Sequence, residues 1–215
     1  MPVRLGDTVN EPWFNNGVPR PRTITDQRLL DAAHVVVGRV GPGFTLAQVA
    51  AEAGVSVGTV ATRFGSKDRL VQAVFDNATA EVARTMRTAA DAAADPVDGL
   101  RAAAVGTFIS LGDADTAANH LGQLGHDLID PVLRAKLATH FEVMSAELAR
   151  AFDRASGSLP GAPAPDVAVR VLLSLVNGIS IDWSVRPHGT LADRLGADVD
   201  AVLGAWRRGD EGGHR

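Results

Sequence analysis

The residues that could do chemistry are few, and most sit in settings that do not suit catalysis. His126 and Asp130 stand one helical turn apart, a spacing that can set two metal ligands on one helix face. No third ligand follows at a recognisable spacing, and His120 and His140 fit no metal pattern, so a solvated or helix-capping pair is the better reading. Ser174, Ser180 and Ser184 lack the strand-turn-helix context of a serine nucleophile, and no glycine-rich phosphate loop occurs. Cysteine is absent, which excludes disulfides, thiol catalysis and thiolate metal sites. Neither a catalytic set, a metal nor a cofactor is expected.

The segment from Thr45 to Lys67, TLAQVAAEAGVSVGTVATRFGSK, is different in kind. It holds two short helical patterns joined by Ala-Gly-Val-Ser, the make-up of a helix-turn-helix whose second helix enters a major groove. Small Ala50 and Ala53 let the helices approach, and Gly54 supplies the turn's backbone conformation without steric cost. Val49, Val55, Val60 and Phe64 make the inner wedge, while Ser56 caps the second helix. By phase, Val57, Gly58, Thr59, Ala61, Thr62 and Arg63 face outward. Methyl groups of Val57, Ala61 and the threonines suit thymine methyls, and Arg63 suits guanine or phosphate. Thr45 and Ala47, at the start of the first helix, complete the expected DNA-facing set with Ser56 and Lys67.

Positioning these residues falls to a chain that reads as helix after helix. A stripe of Leu29, Leu30, Ala33, Val36 and Val37 spans Thr23 to Val40 and closes at Gly41-Pro42-Gly43. Ser66 caps a long helix that runs to about Ala94. Further helices are expected near 97–111, 115–129, 131–155, 166–186 and 193–208, broken by Gly112-Asp113, Asp130-Pro131, the Gly/Pro-rich stretch 157–165 and Pro187-His188-Gly189. No alternating strand pattern and no repeat is found, so the fold class is all-α. Four divisions follow: a flexible extension over 1–22, a three-helix helix-turn-helix domain over 23–70, a helical bundle over 71–208, and a disordered tail over 209–215. Trp13 and Phe14 in the extension either dock on a neighbouring surface or belong to a solvated tail, as do Arg20 and Arg22 if they do not reach DNA.

The totals agree with a packed, charged protein. Of 215 residues 46% are hydrophobic and 21% charged, enough for a core and too apolar for wholesale disorder. The net charge of -4 is uneven: residues 1–77 carry eight Lys/Arg against seven Asp/Glu, and the remainder thirteen against eighteen. The front is the end that repels DNA less. The most apolar run, Val171 to Ile181, is shorter than the ~20 residues a bilayer requires. No signal pattern opens the chain, so a cytoplasmic protein without a membrane partner is expected.

A longer string than the bare helix-turn-helix is present: Leu29-Leu30-Asp31-Ala32-Ala33, Gly41, Thr45-Leu46, Val49-Ala50, Ala53-Gly54-Val55-Ser56, Gly58-Thr59-Val60, Phe64, Lys67 and Leu70. This resembles the N-terminal pattern of the tetracycline-repressor (TetR) family, without a gap from Thr45 to Leu70. One position departs: the family's phosphate-contacting tyrosine is Ala61, and Arg63 stands where histidine or tyrosine is common. Lys67, at the N-terminus capped by Ser66, fits the family's phosphate-contacting lysine.

The resemblance implies a transcriptional regulator, in its usual form a repressor released from a palindromic double-stranded operator by a small molecule. It further implies a homodimer built on the last two helices. Leu128 to Arg134 and Asn177 to Leu203 resemble, more weakly, segments of the family's ligand domain. The helix of Val167, Val171, Leu172, Leu175, Val176, Ile179 and Trp183 is apolar on more than one face, which suits either a dimer interface or a buried central helix. An apolar pocket is implied among Leu100 to Trp183. Its lining would include Phe108, Leu111, Leu121, Leu124, Leu128, Phe141, Met144, Ile179 and Trp183, and its polar groups Asn119, His120, His126, Asp127 and Asn177. The alternatives are an all-helical enzyme, or a ligand- or protein-binding bundle that ignores DNA.

Overall fold

The structure is a computed structural model that describes residues 24–106, 108 and 113–209. The expectations for the extension with Trp13, Phe14, Arg20 and Arg22, for Leu111 and for the tail after Gly209 lie outside the described residues. Those residues form helices α1 (Asp26–Val40), α2 (Leu46–Ala53), α3 (Val57–Phe64), α4 (Lys67–Ala92), α5 (Pro96–Gly106), α6 (Ala114–Ile129), α7 (Pro131–Ala155), α8 (Pro165–Val185) and α9 (Leu191–Arg208). Among the described residues there is no strand.

Helix ends fall where side chains can satisfy the free backbone N–H groups. Thr25 caps α1, so that helix starts three residues later than the pattern's opening Thr23. Asp113 caps α6 and Thr190 caps α9. The Asp130 carboxylate accepts from the N–H groups of Val132 and Leu133 at 2.8 and 3.0 Å, with Pro131 at the first helical position. α4 stops at Ala92 instead of Ala94 because Asp95 turns to accept from the Val97 and Asp98 N–H groups and open α5.

Two apolar clusters divide the interior. The front cluster joins α1, α2 and α3 through Leu29, Val36, Phe44, Val49 and Val60, all nearly solvent-free. It also takes in Leu70 and Val71 of α4 and Leu133 of α7, so α4 is shared between the two clusters and the back bundle reaches forward. The rear cluster runs through α4 to α9, with Leu100, Leu148, Leu172, Val176, Leu195 and Val199 at its centre. α8 extends well past the apolar run read from sequence, and by length and composition its 21 residues would cross a membrane. Its Ala168, Val169, Leu172, Val176, Ile179 and Trp183 are instead buried in the bundle, as a core helix requires.

α1 and α6 meet where the two clusters adjoin. Asn119 donates through Nδ2 to the Gly38 carbonyl at 2.9 Å. Gly38 keeps the approach close: a β-carbon on it would lie 3.1 Å from Thr116 Cγ2 and 3.3 Å from His120 Nε2, tight enough that those side chains would have to shift.

Candidate nucleic-acid interface

The presentation of α3 begins with two locally determined helix starts. Thr45 and Gln48 form a reciprocal capping box: the Thr45 hydroxyl accepts from the Gln48 N–H at 3.3 Å, and the Gln48 carbonyl oxygen accepts from the Thr45 N–H at 2.8 Å. Gly54 ends α2 in the left-handed region, φ +72°, which reverses the chain within one residue. The Val55 N–H then donates to the Ala50 carbonyl at 2.9 Å. Ser56 opens α3 by accepting from the Thr59 N–H at 3.1 Å, and its hydroxyl also lies 2.9 Å from Thr59 Oγ1.

α3 is pinned by one face only. Val60 is fully buried, Phe64 packs on the front cluster from its edge, and Val55 joins them. The opposite face carries Val57, 47% exposed, with Gly58, Thr62 and Arg63 also exposed and Thr59 and Ala61 half-buried. A β-carbon at Gly58 would meet only Ser56 Oγ, at 3.6 Å, so this first turn opens outward. The resulting surface is a short helix with small and methyl-bearing side chains, the shape that enters a major groove and touches thymine methyls.

The two cations expected to reach DNA are held by the protein. Arg63 turns back to the start of α1, with Nη1 3.1 Å from Asp26 Oδ1 and Nη2 donating to the Ile24 carbonyl at 3.3 Å. Lys67 donates to the Pro42 carbonyl at 2.6 Å and lies over the Phe44 ring, 4.4 Å from its centre. Thr45 and Ser56 also have their hydroxyls engaged as caps, while Ala47 is exposed on the first turn of α2. Sequence reading missed the partners Asp26, Phe44 and Gln48. Only Gln48 had a local signal, three residues after Thr45.

Of the seven residues expected to bind a ligand, Phe108, Phe141 and Trp183 pack on the rear cluster, and the other four stand in separate settings. Phe108 and Phe141 are partly buried against the rear cluster, and Trp183 is buried with its indole N–H donating to the Gly189 carbonyl at 3.3 Å. Asn177 bonds within its own helix to the Leu173 carbonyl. Asn119 lies on the α1–α6 seam, not in the rear cluster. His126 is exposed and Asp130 caps α7, the solvated and capping roles expected for that pair. Asp127 is buried and accepts from Gln123 Nε2 at 2.7 Å. Burial pushes its carboxyl up from the usual aspartate range, and Gln123 Oε1 is left without a partner. A groove of about 680 Å³ lies elsewhere, between α7 and α8, and is lined by Ala146, Ala149, Val169, Leu173 and neighbours but by none of the seven.

Residues 29–74 match the family of bacterial regulatory proteins of the tetR type. No curated protein sequence matches the chain. The whole fold is similar to that of SmeT, the repressor of a Stenotrophomonas maltophilia multidrug efflux pump, at 25% identity and a TM-score of 0.62 over 86% of this chain and 91% of that one. A transcriptional regulator from Rhodococcus sp. Rha1 superposes with a TM-score of 0.69 at 21% identity over 86% and 97% of the two chains. FadR from Bacillus subtilis, solved in complex with stearoyl-CoA, gives 0.66 at 17% identity over 84% and 99%. With the family pattern of residues 29–74 lying on the outward-facing helix pair and the remaining helices folded as in these regulators, the findings support a TetR-family DNA-binding transcriptional regulator.

Proposed function

We propose that the protein is a homodimeric repressor that leaves a palindromic operator when a small molecule binds its rear bundle. The observation that carries the pairing is a stripe along α8. Val167, Val171, Ser174, Gly178, Ile181 and Val185 recur at alternating steps of four and three, the spacing of a helix that packs lengthwise on another. Val171, Ile181 and Val185 are 38%, 47% and 74% exposed, large values for branched apolar side chains. On α9 the exposed Ala197, Ala201 and Ala205 are small enough for close approach. Two copies paired this way would present their α3 helices to successive half-sites on one side of the duplex.

In this reading Val57, Gly58, Ala61 and Thr62 face base edges, with Thr59 beside them. Arg63 and Lys67 reach phosphates after exchanging Asp26 and the Pro42 carbonyl for DNA oxygens, while Thr45, Ala47 and Ser56 border the backbone. The repressor polarity is supported by the likeness to SmeT, and a small-molecule effector by the likeness to FadR. Residues 23–70 act as the reader, 71–208 as the sensing and pairing domain. Working on chromosomal DNA, the protein acts in the cytoplasm and performs no catalysis.

Light scattering at micromolar concentration, paired with gel shifts on fragments flanking the protein's own gene, tests this. A dimer mass and retention of a fragment with an inverted repeat are expected. A monomer that leaves every such fragment unshifted would contradict it.

A further inference from the structure

The α1–α6 seam holds a feature that neither DNA contact nor dimer pairing uses. His34 of α1 and His120 of α6 face each other across it, their ring centres 5.0 Å apart and their planes inclined by 32°. His34 is exposed, whereas His120 is half-buried with Nε2 aimed at the Gly38 backbone.

We propose that this facing histidine pair makes the seam a proton-sensitive latch: a neutral His120 imidazole holds the reader domain against the sensing bundle, and acid releases it. The chemistry follows from what surrounds the rings. On α1, Asp31 is bonded to Gln27 Nε2, and Arg39 pairs with Glu52. On α6, Asp113 caps its own helix, Asp115 lies more than a turn before His120, and Asp127 is held by Gln123. The Gly-Pro-Gly turn beside α6 carries no charge. On α7, Arg134 bonds the Leu128 carbonyl, Lys136 pairs with Asp76, His140 bonds Thr79, and Glu147 pairs with Arg87 and Arg150. On α8, Asp182 pairs with Arg186 and Arg194. Among the described residues no carboxylate is joined to either imidazole, so a proton added at the seam meets burial and like charge without a counter-ion.

Burial first, and the facing His34 second, hold the His120 imidazole down from 6.5 to about 4. A histidine depressed in the docked state stabilises docking above the undocked value and loses that contribution as pH falls from 6.5 toward 4. At pH 5.5 the undocked state is favoured about tenfold relative to pH 7.5, from the same two values. A reader domain no longer fixed to the paired bundle loses its set half-site spacing, and operator affinity falls with it. This last link rests on the proposed function; the titration does not.

Two readouts on the intact protein test the latch. In imidazole NMR, His120 is expected to titrate well below 6.5, and His34→Gln to move its midpoint upward. Hydrogen exchange of the amides around Gly38 and Asn119, corrected for the intrinsic pH effect, is expected to quicken about tenfold at pH 5.5, and His120→Gln to remove that change. A His120 midpoint near 6.5 in the wild type would overturn the latch even if the variants failed to fold. So would seam exchange whose pH response is the same in His120→Gln. An operator affinity that stayed constant to pH 5.5 while the seam opened would overturn its regulatory half.

Discussion

The helix-turn-helix and the rear bundle of this chain follow opposite rules. Around α3 the surface is set by short-range devices: a capping box at Thr45, a left-handed glycine at 54, a serine cap at 56. Each works within three or four residues, so the outward face was legible from spacing alone. In the rear bundle the choice of which side chains meet is made by the packing of α4 to α9, and one helical face looks like another until the helices are placed. The difference teaches that a protein can specify an outward-facing helix locally and a packed interior globally.

Each half can be broken in its own way. The largest effect should come from the rear core: Leu172→Ala removes a fully buried side chain at the centre of α8 and should cost about 2–5 kcal/mol. Denaturant unfolding checks it, with a lowered midpoint at unchanged slope. Gly54→Val strikes the front. A side chain at φ +72° finds open space, its nearest neighbour being Arg28 at 3.9 Å, so the penalty is backbone strain of roughly 1–3 kcal/mol. Operator affinity should drop more than thermal stability, because the turn aims α3.

A smaller change sharpens the contrast by pH. The Asp127 carboxyl is raised by burial, so its charged form opposes folding above the ordinary aspartate range. Asp127→Asn should therefore leave the protein as stable or more stable at pH 7, and the gain should shrink as pH falls toward 4. Thermal melts at both pH values decide the sign. Smallest of all is Arg63→Ala: its exposed ion pair with Asp26 is worth about 0–1 kcal/mol of stability. Its larger effect should be on DNA, a salt slope reduced by about one if the guanidinium reaches a phosphate.

The all-α class, the α-helices among the described residues and most of their ends were readable, because the 3.6-residue period and the capping residues lie on the sequence itself. Two kinds of information were not. Arg63 and Lys67 are held by Asp26 and the Pro42 carbonyl, partners brought near only by folding. Asn119 has the residue type of a ligand-binding group but is fixed to Gly38 across the seam. A polar residue on a half-buried face serves a pocket or a joint, and only the neighbouring helix decides which.

The central claim is that α3 is the groove-entering helix. Gly58→Leu tests it most directly, since a β-carbon there makes only an ordinary contact with Ser56 Oγ and leucine is the better helix former. Fluorescence anisotropy on the operator fragment should show binding lost at least a hundredfold with the melting temperature kept or raised. Undiminished affinity in that folded variant would contradict the account.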